Sequence, residues 1–485
     1  MDSLLDTLRR RFGLEEFRPL QRAVIDHVLS GGDALVVMPT GGGKSLLYQL
    51  PACVLEAPVL VISPLIALMK DQVDALARRG IAAAFVNSSI SREEREQRAR
   101  AFVAGRLRLL YVTPERFRSE SFLSVIDRAR VGLLAIDEAH CVSQWGHDFR
   151  PDYSRLEVAR DVLRRPPTMA LTATATPRVQ QEILASLGIR SARLFLAGIE
   201  RPNLFLAVTT VVDEDEKVEL LRSRLREIQG SIVVYGALIR DLQGLRERLG
   251  TDARDSELYH GELQRDERRR VQERFMKGEV RVVLATNAFG LGVDKPDIRA
   301  VLHFQIPGSV EALYQEAGRA GRDGHSSRCE LLYQESDLTI QTRFIDWANP
   351  DRSMLLAVLR TLQEWGSDLP HYDLQDLKDK VHARGGFDGR VETCLKWLEA
   401  LGLIEGSFVD RDLRVLGELD PALIPASFTA EKKTADLKRL WSLVEYVRTQ
   451  ECRRRFLHRY FGLPEPPATC GACDRCVTES KLTAS

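Results

Sequence analysis

The segment Met38-Pro39-Thr40-Gly41-Gly42-Gly43-Lys44-Ser45 holds residue types that suit a nucleotide phosphate. Glycines let backbone N–H groups approach phosphate oxygens, a lysine reaches the β- and γ-phosphates, and a serine hydroxyl can hold Mg²⁺. The strict pattern asks for Gly six residues before the Lys, and this chain has Met38 there. A Gly-rich turn that merely precedes a lysine is the competing reading. A second element, Ile136-Asp137-Glu138-Ala139-His140, lies 93 residues beyond Lys44 at its Asp and weakens that alternative. Asp137 at a strand end suits a magnesium ligand, and Glu138 beside it is placed to orient and deprotonate a water. A third element, Gln315-Glu316-Ala317-Gly318-Arg319-Ala320-Gly321-Arg322, puts two arginines three apart on one helix face. From a facing lobe they could stabilise charge on a transferring phosphate; a surface ion pair is the plainer alternative.

A different chemistry sits near the C-terminal end. Cys470-Gly471-Ala472-Cys473-Asp474-Arg475-Cys476 contains two overlapping Cys-x-x-Cys pairs, and Cys452 precedes them by 18 residues. Four thiolates suit tetrahedral Zn²⁺. Redox cysteines and an Fe–S cluster are the rivals. Cys53, Cys141, Cys329 and Cys394 are scattered and read as buried thiols of a reducing compartment.

The elements that must position these residues follow a repeated theme between residues 30 and 175: apolar strand, polar turn, helix. The apolar runs are Ala34–Met38, Val59–Ser63, Leu109–Thr113, Leu133–Asp137 and Met169–Thr172. Such alternation predicts a parallel sheet covered on both faces, with ligands at its C-terminal strand ends. The notable residues cluster there, as does Thr172-Ala173-Thr174-Ala175-Thr176. A second α/β set follows Asp213-Glu214-Asp215-Glu216, with runs at Ser231–Tyr235, Val280–Ala285, Ala300–Phe304 and Cys329–Tyr333. The charged stretch Gln264–Phe275 between them reads as a solvated helix face. The period changes near Asn349-Pro350. Helices are predicted at Leu355–Trp365, Leu374–Ala383 and Val391–Leu401, and small strands at Leu403–Glu405 and Leu413–Leu416, the outline of a winged helix. A linker is marked by Pro421 and Pro425, and a helix over Lys433–Arg448 leads into Cys452.

Composition narrows the classes. The 485 residues are 44% hydrophobic and 28% charged, an ordinary globular balance that excludes disordered and collagen-like chains. The longest apolar stretch, Ala57–Met69, is broken by Ser63 and Pro64 and falls short of the ~18–20 residues of a membrane span. Met1-Asp2-Ser3 does not read as a signal peptide, so a cytosolic or nuclear location is expected. Lys+Arg and Asp+Glu balance at 69 each, so any nucleic-acid site must be local. Between Glu431 and Phe461 nine basic residues face four acidic ones, which suits either duplex phosphates or a solvated helix.

Taken together, these motifs resemble a superfamily-two helicase and more closely a RecQ-family DNA helicase. The likeness covers about Leu8 to Leu332 and returns at Lys433 to Cys476. It rests on Phe12-Gly13 with Phe17-Arg18-Pro19-Leu20-Gln21, on Met38–Ser45, on Ser63–Gln72, and on Thr113-Pro114-Glu115-Arg116. It continues through Asp137–Pro151, Thr172–Thr176, Ala285–Pro296, Gln315–Gly324, and the segment from Cys452-Arg453-Arg454-Arg455 to Gly462. The resemblance implies an α/β fold of two tandem RecA-like lobes with parallel sheets, residues 1–203 and 204–345. A winged-helix-like module (350–425) and a small zinc-binding helical module (430–478) follow. It implies an ATP-dependent 3′–5′ DNA helicase acting in recombination and repair, with ATP, Mg²⁺ and Zn²⁺ as cofactors. Its partners would be single-stranded and duplex or branched DNA and single-stranded-DNA-binding or repair proteins, in the cytoplasm of a bacterium, at its nucleoid, or in a eukaryotic nucleus. By the same resemblance Arg18 and Gln21 read the adenine edge, and Gly290 and Asp294 line the second-lobe side of the cleft. Arg322 is the finger, supported by Arg319. Trp145, Phe149 and Arg150 of the aromatic-rich loop contact single-stranded DNA, because stacking ignores base identity. Thr172 and Thr174 link nucleotide state to lobe closure. A DNA translocase or annealing and remodelling ATPase is the alternative within the class; a non-enzymatic, ATP-gated DNA-binding scaffold is the alternative outside it.

This chain departs from the family pattern in three places. Leu14 stands where the family often has an aromatic or His that packs on adenine. Gly236-Ala237-Leu238-Ile239-Arg240 stands where Asn or Thr-Ser-Arg is usual, which puts a second-lobe phosphate contact in doubt. The winged-helix-like segment Asp351–Leu419 precedes the cysteines, whereas in the common arrangement a winged helix follows the zinc. That segment is expected to bind either duplex DNA or a protein, with no room for a winged helix after Cys476.

Overall fold

The computed structural model describes residues 3–39, 41–143, 152–153, 156–290, 293, 295–381, 389–408, 411–416 and 426–477. It divides into two compact units, Met1–Glu335 with Val444–Ser485, and Ser336–Leu443.

The first unit contains two parallel sheets. Lobe 1 is built on β1 (Ala34–Val37), β2 (Val59–Ile62), β3 (Ala83–Val86), β4 (Leu109–Val112), β5 (Leu133–Ile136), β6 (Thr168–Thr172) and β7 (Arg193–Leu196). The order across the sheet is β3-β4-β2-β5-β6-β1-β7. The central strands are Val, Leu and Ile runs because both faces are covered. The pleat separates the two cores: Leu35 and Val37 pack into one, Ala34 and Val36 into the other. Lobe 2 has β8 (Leu204–Thr210), β9 (Ser231–Tyr235), β10 (Ser256–Tyr259), β11 (Val282–Ala285), β12 (Ile298–His303) and β13 (Ser327–Tyr333). Its order is β10-β11-β9-β12-β13-β8, and Val233 and Ile232 again point into opposite cores. The charged stretch forms the helix Arg265–Met276, buried only through residues such as Val271 and Phe275.

In the second unit a helix, Asp337–Ala348, precedes helix Arg352–Trp365, helix Leu374–Lys380, helix Arg390–Ala400 and the antiparallel pair β14 (Ile404–Glu405) and β15 (Arg414–Val415). Asp351 caps helix Arg352–Trp365 by accepting from the Met354 amide at 2.8 Å, and Asp373 forms a capping box with Asp376. From Arg352 onward this is the expected order of three helices and a small hairpin. The long helix starts at Ala426 rather than Lys433 and runs to Arg448. Pro421, Pro425, Gly385 and Gly386 lie outside the described residues. Among the described residues no helix is long and apolar enough to cross a membrane.

Candidate nucleotide site and cysteine centre

The ends of β1, β6, β5 and β2 are neighbours, so the loops that follow them converge. After β1, Gly41 (φ +80°) and Gly43 (φ +85°) adopt left-handed conformations that other residues resist, and a Cβ on Gly42 would sit 2.9 Å from the Pro39 carbonyl oxygen. The loop therefore needs all three glycines, and it closes into the helix Leu46–Val54. Lys44 Nζ donates to the Met38 carbonyl at 3.1 Å. Burial lowers the Lys44 pKa, opposed by the charges of Glu138 and Asp137.

Asp137 follows β5 and is buried. Its Oδ1 accepts from the Glu138 amide at 3.0 Å, and Ser63 Oγ, after β2, donates to its Oδ2 at 3.5 Å. Burial first, and then the neighbouring Glu138 charge, push its carboxyl up to about 7, against the pull of Lys44. Glu138 itself is held at φ 49°, ψ 45°, a conformation that costs a non-glycine residue ~1–3 kcal/mol. Its Oε2 is buried with no hydrogen-bond partner among the described residues, 3.4 Å from His140 Nδ1. His140 Nδ1 also meets Thr172 Oγ1 at 2.9 Å, and Thr172 Oγ1 donates to the Thr174 carbonyl at 3.0 Å. The strand ends of β5 and β6 are thus joined by side chains.

Lobe 2 reaches this loop through Arg322. Its Cγ, Cδ and Nε lie 3.6–3.7 Å from where a Gly41 Cβ would be, and its Nη1 donates to the Val293 carbonyl at 3.2 Å. Arg319 is buried inside lobe 2, where its guanidinium fills the space a side chain at Gly290 would need. The helix Val310–Ala317 ends before them, so the two arginines lie in the turn that follows rather than on one helix face, and they face different surroundings. Arg18 and Gln21 do not stand free in an adenine pocket: Arg18 Nη1 donates to the Gly41 carbonyl at 2.5 Å, and Gln21 Nε2 to the Gly42 and Gly43 carbonyls at 3.3 Å. Leu14 is 44% exposed. Thr40, Trp145, Phe149, Arg150 and Asp294 lie outside the described residues.

Sequence reasoning missed Gln305. Its Oε1 accepts from the Ala237 amide at 2.6 Å and the Leu238 amide at 3.2 Å, and its Nε2 donates to Asp241 at 2.7 Å. Amides at the unusual segment after β9, where a second-lobe phosphate contact was in doubt, are bonded within the protein.

The sulfurs of Cys452, Cys470, Cys473 and Cys476 all lie within 4.8 Å of one another. A tetrahedral zinc with Zn–S bonds of about 2.3 Å separates its sulfurs by about 3.8 Å, so the donor set fits. A hydrogen bond from Cys470 lowers the Cys473 pKa to about 5, whereas the Cys470 and Cys476 thiols are raised. The knuckle is anchored on lobe 2. Asp474 N donates to the Leu206 carbonyl at 3.0 Å, Leu206 N to the Ala472 carbonyl at 3.2 Å, and Val208 N to Asp474 Oδ2 at 3.1 Å. These bonds cover the outer edge of β8, which otherwise presents open ladder groups. Arg453, fully buried, binds both Asp474 oxygens at 2.9 Å. Arg454 Nη2 donates to the Arg201 and Leu204 carbonyls at 2.7 and 2.8 Å.

Three family models match the chain: DEAD/DEAH box helicase over residues 18–183, helicase conserved C-terminal domain over 216–324, and RecQ zinc-binding over 413–477. The ATP-dependent DNA helicase RecQ of Bacillus subtilis (strain 168) is 38% identical over 472 residues, covering 97% of this chain and 66% of the relative. The protein of the same name from Synechocystis sp. is 36% identical over 494 residues and covers 98% of both chains. That of Pasteurella multocida is 43% identical over 334 residues, 69% of this chain, of which this chain spans 52%. Among solved structures, Mycobacterium smegmatis helicase Lhr bound to ssDNA and AMP-PNP aligns with TM-score 0.55 at 20% identity, covering 80% of this chain and 55% of that one. The DUF1998 helicase MrfA bound to DNA aligns with TM-score 0.56 at 18% identity, covering 88% and 60%. These two likenesses concern the fold.

Proposed function

The chain belongs to the RecQ family of ATP-dependent DNA helicases, and from that premise we propose that it couples ATP hydrolysis to 3′–5′ movement along single-stranded DNA and separates duplex or branched DNA, as in recombination and repair. The observation that carries the reading is the meeting of two lobes at one loop: Lys44 and the glycines from one side, Arg322 over Gly41 from the other. The glycine backbone and Lys44 bind the phosphates. Glu138, whose buried Oε2 has no protein hydrogen-bond partner among the described residues, orients a water and takes its proton. Ser45 and Asp137 are the residues that would hold Mg²⁺, which when bound neutralises phosphate charge. Arg322 stabilises the charge that develops on transfer, and Arg319 supports it from within lobe 2 through Gly290.

Arg18 and Gln21, which bond the phosphate loop's carbonyls, read the adenine edge on this reading. Trp145, Phe149 and Arg150 take single-stranded DNA by stacking and phosphate contact. Asp294 lines the second-lobe side and Thr40 completes the phosphate loop. The His140–Thr172–Thr174 bonds are the route by which nucleotide state reaches the lobe boundary. The cysteine centre holds zinc in a structural role.

Strand separation on a duplex with a 3′ overhang tests the proposal. ATP-dependent unwinding is expected in the wild type, and Lys44→Ala is expected to lower it by about a hundredfold or more, the usual scale for losing one electrostatic contact to the transferring group. DNA-stimulated ATP hydrolysis without unwinding would instead identify a translocase or remodelling ATPase.

A further inference from the structure

The chain crosses from lobe 1 to lobe 2 between the end of β7 and the start of β8, over residues 197–203. This crossing segment is bonded at both ends. At its start, Ala197 N donates at 2.9 Å to the carbonyl of Val37, the last residue of the strand that leads into the phosphate loop. At its far end it grips the turn that carries the two arginines. Arg201 Nη1 donates to the Gly318 carbonyl at 3.1 Å, and its Nη2 to the Ala320 and Gly321 carbonyls at 2.7 and 2.8 Å. Asn203 Nδ2 donates to the Gly321 and His325 carbonyls at 2.8 and 2.9 Å. Between them, the Tyr314 hydroxyl donates to the Ile199 carbonyl at 3.0 Å, from the helix that leads into the turn.

Carbonyls at a helix C-terminal end need partners from outside the helix, and a cation suits them. Water or a flexible lysine would meet that need. A guanidinium does more, because its rigid planar fork, spread over three carbonyls, fixes the orientation of the turn as well as its place. The packing is correspondingly tight. Gly321 stands at φ +55°, and a Cβ there would lie 2.5 Å from Asn203 Nδ2 and 2.7 Å from Ser327 Oγ. Arg322 follows directly, and its side chain lies against Gly41 of the phosphate loop. The bonds thus form a ring: from β1 along the crossing segment to residues 318–321, then through Arg322 back to the loop after β1. The base of the fork is held as well, since Arg454 donates to the Arg201 and Leu204 carbonyls. Displacing the turn by about an ångström would move Arg322 by a similar distance, and a misplacement of that size can cost about 10²-fold in rate.

We propose that Arg201 is a positioning residue for ATP turnover: by gripping residues 318–321 from the interlobe crossing, it sets where Arg322 meets the phosphate loop. Asn203 supports it. The inference rests on the role given above to Arg322, and Arg201 acts through that residue rather than on the phosphate.

The test uses the full chain with Arg201→Gln, Arg201→Lys, Arg322→Ala and the double variant Arg201→Gln/Arg322→Ala. The kcat and KM for ATP are measured with saturating oligo-deoxythymidine, beside the thermal midpoint and the zinc content. Arg201→Gln is expected to lower kcat by about ten- to a hundredfold, with KM for ATP within about twofold of the wild type. Arg201→Lys, which keeps the charge but not the fork, should recover part of that loss. In the Arg322→Ala background, adding Arg201→Gln should change kcat by less than about twofold, because both variants remove one function. An unchanged kcat in Arg201→Gln would overturn the proposal and leave the role of Arg322 intact. The same proportional loss with and without Arg322 would also overturn it, since a merely structural contact behaves that way. Should Arg201→Gln fail to fold, the cycle is run with Arg201→Lys, and the same two outcomes decide. Full turnover in Arg322→Ala would overturn the reading of Arg322, and this inference with it.

Discussion

Glu138→Gln is expected to lower ATP turnover by about 10²–10⁴-fold, the range for losing a positioned general base, while nucleotide binding persists. The substitution keeps the shape of the side chain and leaves Asp137, Lys44 and the glycine backbone in place. It changes one property, the capacity to take a proton. The surroundings make that property hard to replace. Glu138 Oε2 is buried without a hydrogen-bond partner among the described residues, and the backbone at residue 138 is held in the left-handed region to place it there. Asp137 cannot substitute. Its Oδ1 is engaged by the Glu138 amide and its Oδ2 by Ser63. Steady-state ATP hydrolysis with saturating single-stranded DNA, beside titration with a fluorescent nucleotide, separates the two effects. Near-full turnover in the variant would remove Glu138 from the role of base, and loss of nucleotide binding would recast it as a binding residue.

The sheets were legible where burial is two-sided and obscure where it is not. The four strands that the apolar runs did not reveal are β3, β7, β8 and β10, and these are the edge strands of the two parallel sheets. Each is shielded on fewer sides than a central strand, and three of them mix polar with apolar residues: Arg193 in β7, Ser256 and Glu257 in β10, Thr209 and Thr210 in β8; β3, Ala83–Val86, is apolar but alternates between half-buried and buried residues. Central strands such as Leu133–Ile136 have no such freedom and announce themselves. The same contrast governs the site. Gly41, Gly43, Lys44, Asp137 and Glu138 are local in sequence, and their loops and strand ends impose the spacing. Gln305 bonds partners far along the chain, and a lone glutamine carries no pattern. The present positions of Arg18 and Gln21 on the loop carbonyls were equally hidden, because an amide or guanidinium that suits adenine suits a carbonyl as well.

Loss of the cysteine centre is expected to be felt first in β8 of lobe 2. Cys473→Ser should reduce bound zinc from about one ion per chain to near zero, because a tetrahedral site missing one thiolate holds its metal far less tightly. The knuckle then loses its fixed geometry. With it go the bonds from Leu206 N to Ala472 and from Val208 N to Asp474, so both amides should exchange with deuterium much faster. Amides of β9, in the interior of the same sheet, should stay protected, since their partners on β11 and β12 are untouched. A companion variant, Asp474→Asn, leaves all four sulfurs but strips the charge from the partner of a fully buried arginine. Breaking such a pair costs ~3–5 kcal/mol, because Arg453 remains buried without a counter-charge. Retained zinc with a lowered thermal midpoint is the expected outcome for Asp474→Asn, against lost zinc for Cys473→Ser. If zinc-free Cys473→Ser protein kept Leu206 and Val208 protected, the metal would not be what holds this edge closed, and the Arg453–Asp474 pair would be carrying the knuckle alone.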